Sequence, residues 1–300
     1  MTPICTSLLM TIALAIGGED ASKLESELRE IAANEYRVPA ETSAAEVARR
    51  MLEHLGSPDP DLRDGLVYTT FALWIRRGHF ETAEMKELVE TLSNDDHLFH
   101  GIGEVDTDSV FRRSFAALVL SELVRRHVQE AYLEADAVAA LQARAVDYLE
   151  KENDLRGFVE GKGFAHAVAH TADLLDQLVR CEGLDEEDHQ KMLTAIRGKM
   201  ATTRVLYGFG EEWRMAKVIL TLLRTESVTD RQMGGWLRDI SRDLLRPLQG
   251  AGATEQARRY ANMKSFLLNI HLRCMKEQPP VDITAQVFAT LARITKTSEN

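Results

Sequence analysis

Residues 154–177, DLRGFVEGKGFAHAVAHTADLLDQ, join a glycine-broken polar loop to a helix with a regular apolar pattern. Because each helical residue advances by about 100°, the apolar residues fall on one side, namely Phe164, Val168, Leu175 and Leu178. His166, His170 and Asp173 lie together on the opposite side, within an arc of about 60°. We therefore predict a helix that packs through one face and presents ligand-type side chains on the other.

The same alternation of breaker-rich loops and apolar helices continues in both directions along the chain. Apolar periodicity predicts helices near residues 21–34, 43–55, 60–77, 82–93, 107–127, 133–151, 163–181, 186–200, 211–224, 229–246, 254–275 and 281–295. Proline, glycine and asparagine clusters separate them, and alternating β-branched runs are few. These observations predict an all-α fold.

About twelve helices at roughly 40 or more residues per pair are typical of a HEAT-like helical solenoid, an α-α superhelix. No long linker or low-complexity segment divides the chain, so we predict a single helical-repeat domain over residues 19–300. A curved stack of helix pairs has a concave inner row. The polar side of the HAVAHTAD helix would line a groove there.

Two imidazoles four residues apart, followed by a carboxylate, form a donor set that suits zinc. Asp173 would be a third ligand or would orient His166 or His170. The same trio could transfer protons, because histidine titrates near neutrality. The glutamate of the H-E-x-x-H motif is absent, since Ala167 occupies its place, and no fourth ligand is identified. A metal-free polar pocket and a plain solvated helix face therefore stay open as alternatives.

The loop before this helix has only a superficial likeness to a phosphate-binding loop. The spacing from Gly157 to Lys162 is one residue short of G-x-x-x-x-G-K, Gly163 replaces the required Ser or Thr, and no strand is predicted before it. We predict instead that its three glycines adopt positive φ values that return the chain to the helix. Asp154 and Arg156 would brace the loop or point into the same pocket, for which Lys162 is a further candidate.

Two further charged segments are candidates for the walls of the groove. Their residues are Arg112 and Arg113 in FRRSF, and Glu211, Glu212 and Arg214 in GEEWR. The alternative for each charge is a solvated helix face or an ion pair between helices. Two tryptophans, Trp74 and Trp213, are predicted to fill the core.

Several motifs in this order resemble the bacterial domain-of-unknown-function family 2785. They are RDGLVYTTFALWI at 63–75, FRRSFAALVLSEL at 111–123, DLRG, KGFAHAVAHTADLL and GEEWRMAKVIL at 210–220. The similarity covers most of the chain from about Leu24 onward, although the family usually has tryptophan where this chain has Phe164. The resemblance implies an all-helical bacterial protein, and it implies no reaction because the family has none assigned.

The formal net charge of −11 argues against general affinity for nucleic acid or an anionic membrane, because both need a basic surface. A small molecule or peptide that is neutral or cationic is the favoured partner.

The apolar run Ser7–Ile16 has signal-peptide length and is too short to span a bilayer. No Lys or Arg precedes it, so a first buried helix is the alternative, but residues 1–18 favour export to the periplasm slightly over a cytoplasmic location. Cys181 and Cys274 are predicted to be buried thiols, with pairing as the alternative in an exported protein.

Two function classes fit these residues. One is a ligand- or peptide-binding helical-repeat protein with a polar pocket at the HAVAHTAD helix. The other is a metal-dependent hydrolase or lyase in which His166 and His170 bind zinc or share acid–base work and Asp173 orients one of them. The sequence contains no serine or cysteine in a recognisable nucleophile motif and no identifiable pair of catalytic carboxylates. It therefore does not narrow the type of reaction further.

Overall fold

A computed structural model describes residues 22–245, 252–280 and 282–297, and over these residues the all-helical prediction is confirmed. The α-helices are α1 (22–33), α2 (Ala44–Leu52), α3 (Thr69–Arg77), α4 (Thr82–Leu92), α5 (Ser109–Gln129), α6 (Ala135–Lys151), α7 (Ala167–Leu178), α8 (Glu186–Met200), α9 (Glu211–Arg224), α10 (Asp230–Leu245), α11 (Ala253–Glu277) and α12 (Thr284–Thr297). A π-helical segment, Asp61–Tyr68, runs directly into α3. Two short antiparallel strands, β1 (Phe158–Val159) and β2 (Gly163–Phe164), form a hairpin before α7.

Several helix ends carry a local signal that explains them. Ser43 begins α2 by accepting a hydrogen bond from the backbone N–H of Glu46 at 3.1 Å. Asp185 and Asp188 form a capping box at the start of α8. Gly78 ends α3 in the left-handed conformation, with φ of 73°. Such local signals are why the predicted helix boundaries agree closely with the structure.

Helices separated by one intervening helix pack together along the chain. One series runs α3 on α5, α5 on α7, α7 on α9 and α9 on α11, while α6 packs on α8 and α10 on α12. The two series also touch each other, for example where α6 meets α7. This order is compatible with a helical repeat. It encloses α7 between α5 and α9, and all of its residues except Asp173 are buried.

A continuous apolar core runs from Leu24 in α1 to Ile294 in α12. Trp74 is fully buried in it, as predicted, and its indole N–H donates to the carbonyl of Tyr36 at 2.8 Å. The prediction for Trp213 is wrong, since 47% of this residue is exposed. Its ring instead lies 3.6 Å from the guanidinium carbon of Arg273 in a cation–π contact, which stabilises it at the surface.

The prediction that His166 lies within the helix is also wrong. The chain first forms the hairpin, in which Phe158 opposes Phe164, and α7 begins only at Ala167. Gly161 and Gly163 have φ values of 71° and 76°, as the prediction required. Tight closure of this hairpin leaves His166 outside the helix, as its N-cap residue.

Gly157 does not have a positive φ, so the prediction fails at this one of the three loop glycines. A Cβ atom there would overlap the Phe209 ring, and this close approach is what requires a glycine. The backbone N–H of Ala165 donates to the Gly157 carbonyl at 2.8 Å and holds the base of the hairpin.

The export prediction and the cysteine prediction concern segments other than the hairpin. The apolar run Ser7–Ile16 and its export prediction lie outside the described residues. Across the described ranges, no helix is long and apolar enough to cross a membrane. Cys181 and Cys274 are free thiols, and burial raises the pKa of each.

Candidate functional site

The side chains of Ser114 on α5 and His170 on α7 form a buried polar contact between the two helices. Ser114 donates its hydroxyl hydrogen to the carbonyl of Ala165, and its oxygen lies 2.8 Å from Nδ1 of His170. Because the hydroxyl has one hydrogen, the network assigns the second bond to Nδ1–H of His170 as donor. The Nε2 atom of His170 therefore carries the lone pair of the neutral ring.

His166 is held at the N-terminus of α7 in the left-handed conformation, with φ of 51°. Its ring stacks on Phe164 with a centroid distance of 4.3 Å and stands nearly perpendicular to His170 at 5.7 Å. Only 6% of the residue is exposed, and among the described residues no group hydrogen bonds to its buried Nε2 atom. A left-handed backbone and a buried nitrogen without a partner among the described residues are each grounds for a functional hypothesis about this residue.

Both imidazoles are held in the uncharged form. Burial is the main cause, and it lowers the pKa of His166 to about 4 and the pKa of His170 well below its ordinary value. The positive charge of Arg214 lowers both further, while the backbone of Phe209 offsets part of the shift at His166. The pair therefore offers neutral ring nitrogens at pH 7.

Arg63 places a buried positive charge behind His170. This fully buried side chain of the π-helical segment donates to the carbonyls of Ser57 and Lys162, each at 2.6 Å. Its guanidinium carbon lies 4.0 Å from the ring centroid of Phe111. No carboxylate of the described residues lies within ion-pair distance of it, and burial lowers its pKa to about 10.

Three phenylalanine rings form an exposed apolar cluster beside His166. Phe158, Phe164 and Phe209 are 44%, 40% and 53% exposed, and their ring centroids lie 5.2 to 6.5 Å apart. Phe158 and Phe164 are cross-strand partners in the hairpin, while Phe209 comes from the turn before α9. Ligand sites are lined mainly by apolar and aromatic side chains with a small number of polar groups, and these rings with His166 have that composition.

Glu211, a predicted pocket residue, supports the Phe209 side of this cluster. Its carboxylate accepts a hydrogen bond from the backbone N–H of Phe209 at 3.0 Å and is almost completely buried. Burial raises its pKa, and hydrogen bonds from nearby backbone groups act in the opposite direction. Glu212 lies elsewhere and accepts a hydrogen bond from Ser265 at 2.9 Å.

Asp173 is bonded to Arg214 across α7 and α9. The oxygen and nitrogen atoms of this pair are 2.6 Å apart, and both side chains are partly exposed. Burial raises the pKa of Asp173, while Arg214 and Lys217 lower it. In the described ranges, no group of three or more His, Cys, Asp and Glu side chains is arranged to hold a metal ion.

Asp154, Arg156 and Lys162 are bonded within the loops that flank the hairpin. Asp154 accepts hydrogen bonds from the side chain of Arg156 at 2.6 and 2.8 Å, and from the backbone N–H of Asp106 at 3.0 Å. Lys162 binds the carboxylate of Asp108 at 2.7 Å. The contacts of Asp154 and Arg156 are those of a braced loop, and Lys162 is paired with Asp108.

Arg112 and Arg113, the predicted wall on α5, form ion pairs with other loops. Arg113 is fully buried and binds Glu152 through two hydrogen bonds of 2.5 and 3.0 Å. Arg112 contacts Glu53 at 3.3 Å nearer the surface. Thus the structure brings together His166, His170, Asp173, Glu211 and Arg214, and places the other predicted residues in supporting contacts.

Sequence reasoning missed Ser114, Arg63 and Phe209 as members of this site. The first two stand inside the motifs FRRSF and RDGL, so motif membership was the available signal. Phe209 had no signal beyond its position one residue before the GEEWR motif. Each contacts the histidine region through packing between segments that are distant in sequence.

The family model described as Protein of unknown function (DUF2785) matches residues 98–272. This range covers more than half of the chain and includes α5, α7 and α9 with both histidines. Arg63 precedes it. No curated protein and no solved structure matches the chain.

Proposed function

Because the chain belongs to the family described as Protein of unknown function (DUF2785), we propose a function from its own geometry, that of a ligand-binding helical-repeat protein. In this proposal the helices form a HEAT-like solenoid, and a small molecule or peptide binds at the polar pocket around His166. The packing of α5 on α7 and of α7 on α9 supports the repeat arrangement.

The observation that carries this proposal is the buried Nε2 atom of His166, which has no hydrogen-bonding partner among the residues that the structure describes. A buried nitrogen without a hydrogen-bonding partner costs about 1–3 kcal/mol, and a residue in the left-handed conformation adds strain of about 1 kcal/mol or more. A bound ligand that hydrogen bonds to Nε2 would recover part of this cost. The exposed rings of Phe158, Phe164 and Phe209 supply the apolar surface that such a ligand would contact.

The test uses protein with ¹⁵N-labelled histidines and a panel of blocked dipeptides, small carboxylic acids, amides and amines. We expect at least one probe to shift the ring resonances of His166 in a saturable manner, while those of the exposed His79 stay unchanged. If every probe leaves His166 unaffected, or moves both histidines equally, the binding proposal is wrong.

A metal-dependent hydrolase or lyase is the second candidate, and one observation favours it. Ser114 fixes the Nδ1–H of His170, which leaves Nε2 free to ligate zinc, and His166 is also uncharged. Asp173 would be the third ligand after release from Arg214. Equimolar zinc in protein purified without added metal, lost in a folded His166→Ala/His170→Ala variant, would support this candidate. Metal-free protein that binds a probe at His166 would support the first.

A further inference from the structure

The histidine site contains a buried positive charge that the described residues leave without a carboxylate partner. The guanidinium of Arg63 bonds to backbone carbonyls and lies against the rings of Phe111 and Phe115. Phe115 contacts His170 edge to face at 5.1 Å, so it separates the charge from the imidazole by one ring. Buried charges are normally compensated, and an anion near the histidines would supply the missing compensation through space.

The acidic groups near this site do not supply it. Asp173 is bound to Arg214 at 2.6 Å, and these two charges compensate each other. The carboxylate of Glu211 accepts a hydrogen bond from the backbone N–H of Phe209 and forms no ion pair with Arg63. The carboxylates that act on Arg63 do so through space without an ion pair; they are Asp64, Asp59 and Asp108.

We propose that the ligand of this site is a carboxylate with an adjacent aromatic or apolar group, the carboxylate accepting a hydrogen bond from Nε2–H of the neutral His166 ring and the apolar group lying on Phe158, Phe164 and Phe209. This inference rests on the proposed binding function and names its ligand class. A small aryl carboxylic acid and the free C-terminus of a peptide ending in an apolar residue share this chemistry. The ring of Phe164 or Phe209 would turn aside to admit it, since both are half-exposed.

A cationic ligand fits the same residues less well. The three phenyl rings touch one another, with centroids 5.2 to 6.5 Å apart, and leave no space between them for an ammonium group. Both Arg63 and Arg214 would also repel a cation, as they already disfavour the protonated form of His170. The charge and the shape of the site therefore favour an anion beside an apolar group.

The deciding experiment compares N-acetyl-L-phenylalanine with its uncharged amide by titration of the His166 ring resonances. We expect the acid to bind about tenfold more tightly, because a charge-assisted hydrogen bond is stronger than a neutral one. N-acetylglycine, which has the carboxylate without the ring, should bind more weakly than either. Equal affinity of acid and amide at His166 would overturn the carboxylate inference and leave the binding function standing. If neither probe, nor any member of the wider panel, binds at His166, the binding function itself fails.

Variants test the two halves of the site separately. Phe209→Ala should weaken binding of the acid about tenfold, whereas Phe288→Ala, which truncates an exposed phenylalanine on α12, should leave it unchanged. Arg63→Gln should bring the ratio of acid to amide affinities toward one. If Arg63→Gln does not fold, the comparison of acid and amide in the unchanged protein still decides the proposal.

A further comparison, with a peptide, distinguishes a small acid from a peptide C-terminus as the source of the carboxylate. A hexapeptide ending in phenylalanine with a free C-terminus is compared with the same peptide as its amide, and with N-acetyl-L-phenylalanine. Tighter binding of the free peptide than of the small acid identifies a peptide C-terminus, and equal binding identifies a small acid. Binding of the peptide amide as tightly as the free peptide contradicts the proposal.

Discussion

Ser114 and His170 join α5 to α7 through a hydrogen bond of 2.8 Å in a region that excludes solvent. The contact fixes the ring orientation of His170 and also satisfies the carbonyl of Ala165 at the base of the hairpin. We infer that this one hydroxyl positions both histidines, since His166 follows Ala165 directly.

Ser114→Ala should therefore lower the free energy of unfolding by about 1–3 kcal/mol, because it leaves two buried polar groups unpaired. Ser121→Ala is the matched control on the same helix. Its hydroxyl bonds only to the carbonyl of Leu118 one turn earlier, so its loss should cost less than about 1 kcal/mol. Denaturant unfolding gives both values, and equal losses would show that Ser114 has no special role.

The left-handed backbone at His166 predicts the order of two substitutions there. His166→Gly should be more stable than His166→Ala by about 1 kcal/mol, since glycine adopts φ of 51° without steric cost. Both variants lose the same ring contacts, so their difference reports the backbone alone. If His166 were inside a helix, alanine would be the more stable by a similar amount.

Protonation of His166 predicts loss of stability in mild acid. Its folded pKa of about 4 lies below the unfolded value of about 6.5, so the unfolded chain takes up the proton first as the pH falls. The stabilisation is complete above pH 6.5 and declines toward pH 4. Between pH 7.5 and 5.5 the unchanged protein should lose about 1 kcal/mol more than His166→Gly, as measured by denaturant unfolding. Parallel losses in the two proteins would contradict the buried, uncharged ring.

Close packing at Gly157 predicts a local steric defect on substitution. The Cβ atom of Gly157→Ala would overlap the Phe209 ring and would lie 2.8 Å from the Glu211 carboxylate. We expect a loss of about 1–3 kcal/mol and displacement of Phe209. Gly208→Ala, in the turn that carries Phe209, is the control, because its Cβ would have no neighbour within 4 Å, and it should change stability by less than about 0.5 kcal/mol.

The adjacent arginines of FRRSF should differ sharply in their effect on stability. Arg113→Met would leave the Glu152 carboxylate buried without its main partner, at a cost of about 3–5 kcal/mol. Arg112→Met removes a pair in which Glu53 is largely exposed, and it should cost less than about 1 kcal/mol. Thermal and denaturant unfolding would measure both, and similar losses would disprove the structural assignment of Arg113.

Much of the helical structure could be predicted from the sequence because its signals are local. The predicted segments 186–200 and 211–224 coincide with α8 and α9, where a capping box and an apolar stripe mark the limits. The start of α7 could not be predicted in this way. Apolar periodicity does not distinguish a short glycine hairpin from a first helical turn, and pairing of Phe158 with Phe164 decided between them.

The candidate site likewise contains residues that the sequence identified and residues that it did not. The sequence identified His166, His170, Asp173 and Arg214, because their spacing and motif membership are visible in the chain. It assigned Asp173 as a potential ligand, whereas in the fold this carboxylate contacts Arg214 on the neighbouring helix. It also did not identify Ser114 and Arg63, whose importance comes from contacts with α7 and the hairpin.

By itself, the amino-acid sequence determined the helical class, the approximate helix limits and the histidine pair, since periodicity and end signals act over a few neighbouring residues. Only the tertiary structure decided that His166 lies outside the helix with a nitrogen that no described residue pairs, that His170 bonds to α5, and that the charge of Arg63 is buried nearby. The reason is physical: burial, pKa and hydrogen-bond partners depend on which distant segments pack together, and no local pattern specifies that packing.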